Sequence, residues 1–169
     1  MELMKYPGMK FVPTDKEIVD HYLVNILNGR IRPGVGGVIN DVNIYSFEPW
    51  NLPKATRYGI DSETYYITQR KGTGRRVARR AGAGTWKLNG SEKVVTGKGG
   101  RVMGHVNHLC YIKDNEKVSS NWVMDEYTLA GDHGSKFDNW AICRIKLNAR
   151  TEKRNKKQEV QEKKEEAGA

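Results

Sequence analysis

Cysteine is scarce in this chain, and several classes of protein are excluded by what it lacks. The 169 residues include only Cys110 and Cys143, too few for a secreted disulfide scaffold or for a zinc site built from thiolates alone. No apolar run approaches the roughly 18 residues of a membrane-spanning helix, and the first residues contain no apolar segment of signal-peptide length. The hydrophobic share of 37% is too high for a disordered protein. The sequence therefore predicts a folded protein of a reducing compartment, with no membrane segment.

Acidic residues are almost absent from the middle of the chain. Between Arg70 and Arg101, ten basic residues are accompanied by one acid, Glu92, and their net charge of +9 equals that of the whole chain. A solvated surface usually mixes both signs, whereas a strip of one sign attracts a polyanion, most commonly DNA, through counterion release. Eight glycines in the same strip argue against a long recognition helix. We therefore expect strands and loops to contact the polyanion.

The hydrophobic period changes once along the chain. Thr14 and Glu17 form a capping-box pattern before a helix that Asn28 and Gly29 end, and a short second helix is predicted over 40–47, capped by its first residue, asparagine. The later segments with the two-residue period of strands are Glu63–Thr68, Gly84–Asn89, Lys93–Thr96, Val102–Ile112, Asn121–Leu129 and Asn139–Leu147. This order predicts an α+β fold, the Gly, Asn and Asp clusters between the strands predict the hairpins of an antiparallel meander, and alternation within 122–127 predicts one solvated face.

The composition predicts a boundary near residue 149. Residues 150–169 contain no aromatic residue and one strongly apolar residue, Val160, so we expect a charged, disordered tail on a domain formed by residues 1–149. The basic beginning of the tail, residues 150–157, is either a nuclear-localisation signal or a solvated segment.

Metal and enzyme chemistry find little support in the sequence. Along a strand, His108 and Cys110 share one face while His105 lies on the other, so the three cannot converge on a metal without distortion. Asp125 and Glu126 also point to opposite faces and do not form an acid–base pair. We therefore predict no catalytic residue, no metal site and no cofactor.

The main candidate for a DNA interface is the segment that leads through glycines into the predicted strand Gly84–Asn89. A β-ribbon fits the major groove, where lysine and asparagine reach base edges, so we expect Lys87 and Asn89 to approach bases. The arginines before the strand would bind phosphate, and Trp86 is interpreted as a core anchor in preference to a base-stacking residue. The predicted DNA-binding residues are Arg70, Lys71, Arg75, Arg76, Arg79, Arg80, Lys87, Leu88, Asn89, Gly90 and Lys93.

Five motifs in order resemble the NAC domain, the DNA-binding domain of a family of plant transcription factors. They are residues 7–19 (PGMKFVPTDKEIV), 41–53 (DVNIY followed by EPWNLP), 86–90 (WKLNG), 121–127 (NWVMDEY) and 140–145 (WAICRI). The resemblance extends from about residue 6 to residue 146. It implies a twisted antiparallel sheet flanked by helices, a dimer, and an edge strand that enters the major groove of DNA.

The resemblance also implies positions for the two interfaces. The family dimerises through its N-terminal segment and an Arg–Glu salt bridge, to which Lys10 and Glu17 correspond, with Pro7 and Gly8 beside them. Its DNA contacts match Arg76, Arg79, Lys87 and the strand that runs to Lys93. The chain departs from the family pattern where Leu88-Asn89 replace Ala-Thr, where Val106-Asn107 replace a basic pair, and where Lys10 replaces arginine.

Together, these features predict a sequence-specific regulator of transcription that binds double-stranded DNA as a homodimer, or as a heterodimer with NAC relatives. The expected location is the nucleus, with no membrane partner and no enzymatic activity. The alternative is an interaction module that dimerises with full-length NAC relatives without strong DNA binding of its own, because no activation segment is visible after the predicted domain.

Overall fold

The first helix of the protein has three consecutive parts. The computed structural model describes residues 11–34, 38–54, 63–72, 76–131, 137, 139–148 and 160–168. The parts of the helix are α-helical Asp15–Glu17, π-helical Ile18–Leu23 and α-helical Val24–Leu27. The predicted capping box is confirmed, because the Thr14 hydroxyl accepts from the backbone N–H of Glu17, whose carboxylate accepts from the backbone N–H of Thr14. The helix ends as predicted, at Asn28, and Gly29 follows with φ at +72°.

Seven strands form a single sheet. They are β1 (Ile39–Asp41), β2 (Glu63–Gln69), β3 (Gly84–Leu88), β4 (Lys93–Thr96), β5 (Val102–Lys113), β6 (Trp122–Leu129) and β7 (Trp140–Leu147). The strand order is β1-β2-β7-β6-β5-β3, and β4 pairs with β5 beside β3. The six predicted strands are confirmed to within one residue at each end, and with them the α+β class.

The sheet is mixed, because β1 runs parallel to β2 while every other strand pair described is antiparallel. The prediction of a helix that starts at Asn40 is therefore wrong. Asn40 lies within β1, and its buried side-chain amide donates to the carbonyl of Tyr65 at 3.1 Å. Within residues 40–47, the helical conformation is limited to the 3₁₀ turn Ile44–Ser46, with Asn43 as its cap.

Both faces of the sheet are covered, so the prediction of one solvated face for β6 is also wrong. The N-terminal helix packs on one face over Val106 and Tyr127, and residues 44–52 pack on the other over Trp86 and Met124. The helix-side core consists of Phe11, Ile18, Val19, Leu23, Ile39, Tyr65, Ile67, Val95, Val106, Tyr127 and Ile142. The opposite core consists of Ile44, Leu52, Tyr66, Ala81, Trp86, Leu109, Tyr111, Met124, Ala141, Cys143 and Ile145.

The C-terminal segment contains a helix at residues 160–167, and all of its side chains are exposed. It packs against no part of either core. The division of the chain at residue 149 stays a prediction. Within the described residues, no helix is long and apolar enough to cross a membrane.

Candidate nucleic-acid interface

The outer edge of β3 is covered along only part of its length. The inner side of β3 pairs with β5 from Gly84 to Leu88. On the outer side, Trp86 donates its backbone N–H to the carbonyl of Arg79 at 2.9 Å, and Ala81 donates to Gly84 at 2.9 Å. These backbone bonds end at Trp86 in the described part of the chain, so the end of β3 at Leu88 forms an open sheet edge.

Side chains alternate between the two faces of β3, and the two apolar side chains on one face, Trp86 and Leu88, differ in burial. Trp86 is 1% exposed and packs edge-on against Tyr111, with ring centroids 5.3 Å apart, which supports its interpretation as a core anchor. Leu88 points to the same side of the strand and is 59% exposed, because the covering core ends before it. Lys87 is exposed on the opposite face.

Asn89 continues the strand by one residue beyond its last ladder pair. Its backbone N–H donates to the carbonyl of His108 at 2.7 Å, and its side-chain amide lies 3.3 Å from the Cys110 sulfur. Gly90 follows with φ at +86°, a left-handed conformation that glycine adopts at little cost. Asn89 is thus held at the point where the chain turns from β3 towards β4.

The basic strip divides into exposed and paired residues. Five of its cations are exposed and have no ion-pair partner among the described residues, namely Lys71, Arg76, Lys87, Lys98 and Arg101. Arg80 forms a two-pronged pair with Asp114, with N–O distances of 2.6 and 3.0 Å, at the surface. Lys93 pairs with Asp15 at 3.1 Å.

The pairing of Arg80 with Asp114 shifts the pKa of both groups. The hydrogen bond from Arg80 holds the pKa of the Asp114 carboxyl below its usual value, and the same bond raises the pKa of Arg80. Solvent screens such a pair, so it contributes little to stability, and the Arg80 guanidinium can exchange one anionic partner for another.

Arg70 and Arg79 are placed differently from the other predicted DNA-binding residues. Their side chains are only 10% and 11% exposed, and both bind the carboxylate of Glu126, which is fully buried. Arg79 makes the two-pronged contact at 2.6 and 3.2 Å, and Arg70 adds a third bond at 3.2 Å. Burial opposes the charged form of Arg79, but Glu126 outweighs it and raises the pKa of that guanidinium. Both guanidinium groups therefore face the interior.

Several predicted positions lie outside the described residues, including Arg75 of the basic strip and Pro7, Gly8 and Lys10 of the dimer segment. Glu17, the expected partner of Lys10, is exposed at the start of the helix. One oxygen of its carboxylate also serves the capping box. Its role between two chains stays a prediction.

The residues considered for metal or acid–base chemistry have other partners. His105 lies 2.9 Å from Glu92, and His108 contacts Asp125, which also binds Arg144. Among the described residues, no group of three or more His, Cys, Asp or Glu side chains is arranged to hold a metal ion. Burial raises the pKa of the Cys143 thiol well above its usual value, as expected for a core cysteine.

The three acids that bind the basic strip were not predicted from the sequence. Asp15, Asp114 and Glu126 lie far from their partners Lys93, Arg80 and Arg79 in the chain. One sequence feature could have indicated buried ion pairs. Asp125 and Glu126 are adjacent acids within an apolar strand, where carboxylates are buried only with partners.

Comparison with known proteins confirms the resemblance to the NAC family. Residues 5–129 match the family model described as No apical meristem (NAM) protein. NAC domain-containing protein 72 of Arabidopsis thaliana is 37% identical over 148 residues, which cover 82% of this chain and 48% of that protein.

Two further relatives give the same result. NAC domain-containing protein JA2 of Solanum lycopersicum is 34% identical over 154 residues, covering 86% of this chain and 43% of that protein. Protein CUP-SHAPED COTYLEDON 3 of Arabidopsis thaliana is 35% identical over 150 residues, covering 82% and 43%. The chain spans less than half the length of these three relatives. Since the family model matches most of the chain, this protein belongs to the NAC domain family of plant transcription factors.

Proposed function

We propose that this chain is a sequence-specific, double-stranded-DNA-binding regulator of transcription that acts in the nucleus. It would act as a homodimer or as a heterodimer with NAC relatives, and it would insert the open end of β3 into the major groove. The observation that carries the proposal is the open edge itself: Lys87, Leu88 and Asn89 are all exposed there, while Trp86 beside them is buried. A rigid strand with exposed polar side chains at its edge is suited to reading base edges.

The exposed side chains divide into three kinds of contact. Lys87 and Asn89 can hydrogen-bond base edges, which present distinct donor and acceptor patterns in the major groove. Leu88 can pack against the methyl group of thymine. Lys71 and Arg76 would bind phosphate, and Arg80 would join them by exchanging Asp114 for a phosphate. These contacts would supply both the base reading and the charge attraction that specific binding needs.

The proposal is tested by titrating the protein with a duplex selected from random sequences and with a scrambled duplex, over a range of salt concentrations. We expect log affinity to fall linearly with log salt, with a slope of about −0.9 for each phosphate contacted. Lys87→Ala should weaken binding to the selected duplex, whereas Lys146→Ala should not, because Lys146 lies in β7 beside Glu63, with β6 and β5 between it and β3. No duplex binding at low salt, together with dimer formation with a NAC relative, would favour the interaction module instead.

A further inference from the structure

Glu126 occupies an unusual place for a carboxylate in a DNA-binding domain. It lies in β6, inside the sheet, and is fully buried. Its two oxygens accept bonds from Arg70 and Arg79, and the Asn107 side-chain amide lies at 3.4 Å. The mechanism of DNA binding proposed above makes no use of this group.

The two arginines belong to two stretches of chain that lie side by side, residues 70–72 and 76–80, which we call the basic flanks. The backbone N–H of Ala78 donates to the carbonyl of Lys71 at 2.8 Å, and Arg79 and Arg80 then run along the outer edge of β3. Arg70 and Arg79 thus tie one flank each to the same carboxylate. The exposed cations Lys71 and Arg76 lie on these flanks.

The bonds at Glu126 are of the kind that fixes geometry. Hydrogen bonds between ionised groups are about twice as strong as neutral ones, and the fork of Arg79 restricts orientation as well as distance. The site is shielded from water, so the bonds are screened little by salt. Loss of the carboxylate would leave the buried Arg79 guanidinium without the acceptor of its two-pronged contact.

We propose that Glu126 is a positioning residue for DNA binding, which acts by holding the two basic flanks together beside β3. The inference rests on the proposed function and assigns Arg70 and Arg79 the role of internal anchors. In this role, an acid of the protein supports the affinity of the protein for a polyanion.

A matched pair of substitutions separates this role from the effect of charge. Glu126→Gln and Asp114→Asn each remove one negative charge and the carboxylate partner of one of two adjacent arginines, Arg79 and Arg80; Glu126→Gln also removes the bond to Arg70. By charge alone, both variants should bind DNA as tightly as the unmodified protein or more tightly. If Glu126 positions the flanks, Glu126→Gln should weaken binding to the selected duplex about tenfold or more, the effect of losing a charged hydrogen bond. Asp114→Asn should leave affinity unchanged or raise it.

Hydrogen exchange measures the positioning without DNA. The amides of Ala78 and Trp86 report on the flanks, because their bonds join one flank to the other and to β3. In Glu126→Gln we expect both to exchange about tenfold faster or more, while the amides at the centre of β7 keep their protection. Where Glu126→Gln does not fold, Arg79→Lys replaces it, since it keeps the charge but loses the two-pronged contact. It should then show the same faster exchange and weaker binding.

The outcomes are distinguishable. Unchanged exchange in both Glu126→Gln and Arg79→Lys would overturn the anchor, whether or not the protein binds DNA. Faster exchange with undiminished DNA affinity would overturn the positioning role, and so would an equal loss of affinity in Asp114→Asn. If the unmodified protein binds no duplex, the proposed function fails while the exchange result still decides whether Glu126 is an anchor.

Discussion

Asn89 is the residue at which base reading can be separated from attraction to phosphate. Its exposed side chain lies beyond the last ladder pair of β3, where it can bond a base edge. We expect Asn89→Ala to reduce discrimination at one or two base positions by about 1–3 kcal/mol, and to leave affinity for a scrambled duplex nearly unchanged. Binding selection and titration of both duplexes measure this. Asn148→Ala is the control, because Asn148 is exposed at the end of β7, with β6 and β5 between it and β3. An equal loss on both duplexes would contradict base reading.

The sequence predicted the burial of some side chains at this edge but not of others. The anchor role of Trp86 follows from a large apolar side chain on one face of a strand, and burial confirms it. Exposure of Leu88 did not follow, because alternation fixes the face but not how far the covering core extends. The inward position of the Arg79 side chain could not be predicted from the sequence either, because its partner Glu126 is 47 residues away.

At the scale of elements, the contact between the N-terminal helix and the sheet depends on a glycine. A Cβ added to Gly104 in β5 would lie 2.4 Å from the Thr128 carbonyl oxygen and 2.7 Å from a methyl group of Val19 in the helix. We therefore expect Gly104→Ala to lower the free energy of unfolding by about 1–3 kcal/mol, the usual cost of overpacking. Urea denaturation measures the loss. Gly34→Ala is the control, because a Cβ at Gly34 meets nothing within 4 Å. An equal, small effect of both substitutions would contradict this packing.

The elements that sequence did not predict are those that depend on neighbours. β1 has three residues and is defined by its pairing with β2, so it is too short for a hydrophobic period to predict. Asparagine is also a common N-cap residue, so Asn40 favoured the prediction of a helix. The π-helical stretch Ile18–Leu23 has an ordinary helical spacing in sequence. The long strands β5, β6 and β7 were predicted because each has eight or more residues, with β-branched and aromatic side chains, and because Gly, Asn or Asp lie in the turns between them.

At the scale of the whole molecule, Asp15 ties the helix to two strands and makes stability depend on pH. Burial opposes its charged form, but hydrogen bonds from the Tyr127 hydroxyl at 2.7 Å and from Lys93 at 3.1 Å lower the pKa of its carboxyl below 3.8. A lowered pKa means that the unfolded chain takes up the proton first as the pH falls. The contribution of this carboxylate is therefore complete above its unfolded pKa and is lost as the pH falls through the folded value.

Asp15→Asn tests this dependence. Near neutral pH, we expect it to lower the free energy of unfolding by about 1 kcal/mol or less, because the group is partly exposed and solvent screens it. The difference from the unmodified protein should shrink as the pH falls below about 4, where the carboxyl of the unfolded chain becomes protonated. Urea denaturation at a series of pH values measures it. A difference that is the same at all pH values would show that the lost contact is steric and not ionic.

Assembly of two chains is the remaining property at this scale, and the Glu17 carboxylate gives a way to test it. We predict that Glu17 of one chain pairs with Lys10 of the other, but the same carboxylate also completes the capping box with Thr14. Glutamine at this position also completes a capping box, so Glu17→Gln removes the charge and keeps the cap. We expect it to weaken the dimer by about 1 kcal/mol or less, as for a surface ion pair, and to leave the helix intact.

Three further variants isolate the ion pair. Glu17→Lys should weaken the dimer more, because it brings two cations together, and the double swap Lys10→Glu with Glu17→Lys should recover part of that loss. Thr14→Ala should lower the free energy of unfolding by about 0.5–2 kcal/mol through the lost cap, yet leave the dimer dissociation constant unchanged. Sedimentation equilibrium measures the dimer dissociation constant, and thermal denaturation measures the change in stability that the lost cap causes. A monomeric unmodified protein, or a double swap no better than Glu17→Lys alone, would show that these two residues do not pair, because only a direct contact restores attraction when both charges are exchanged.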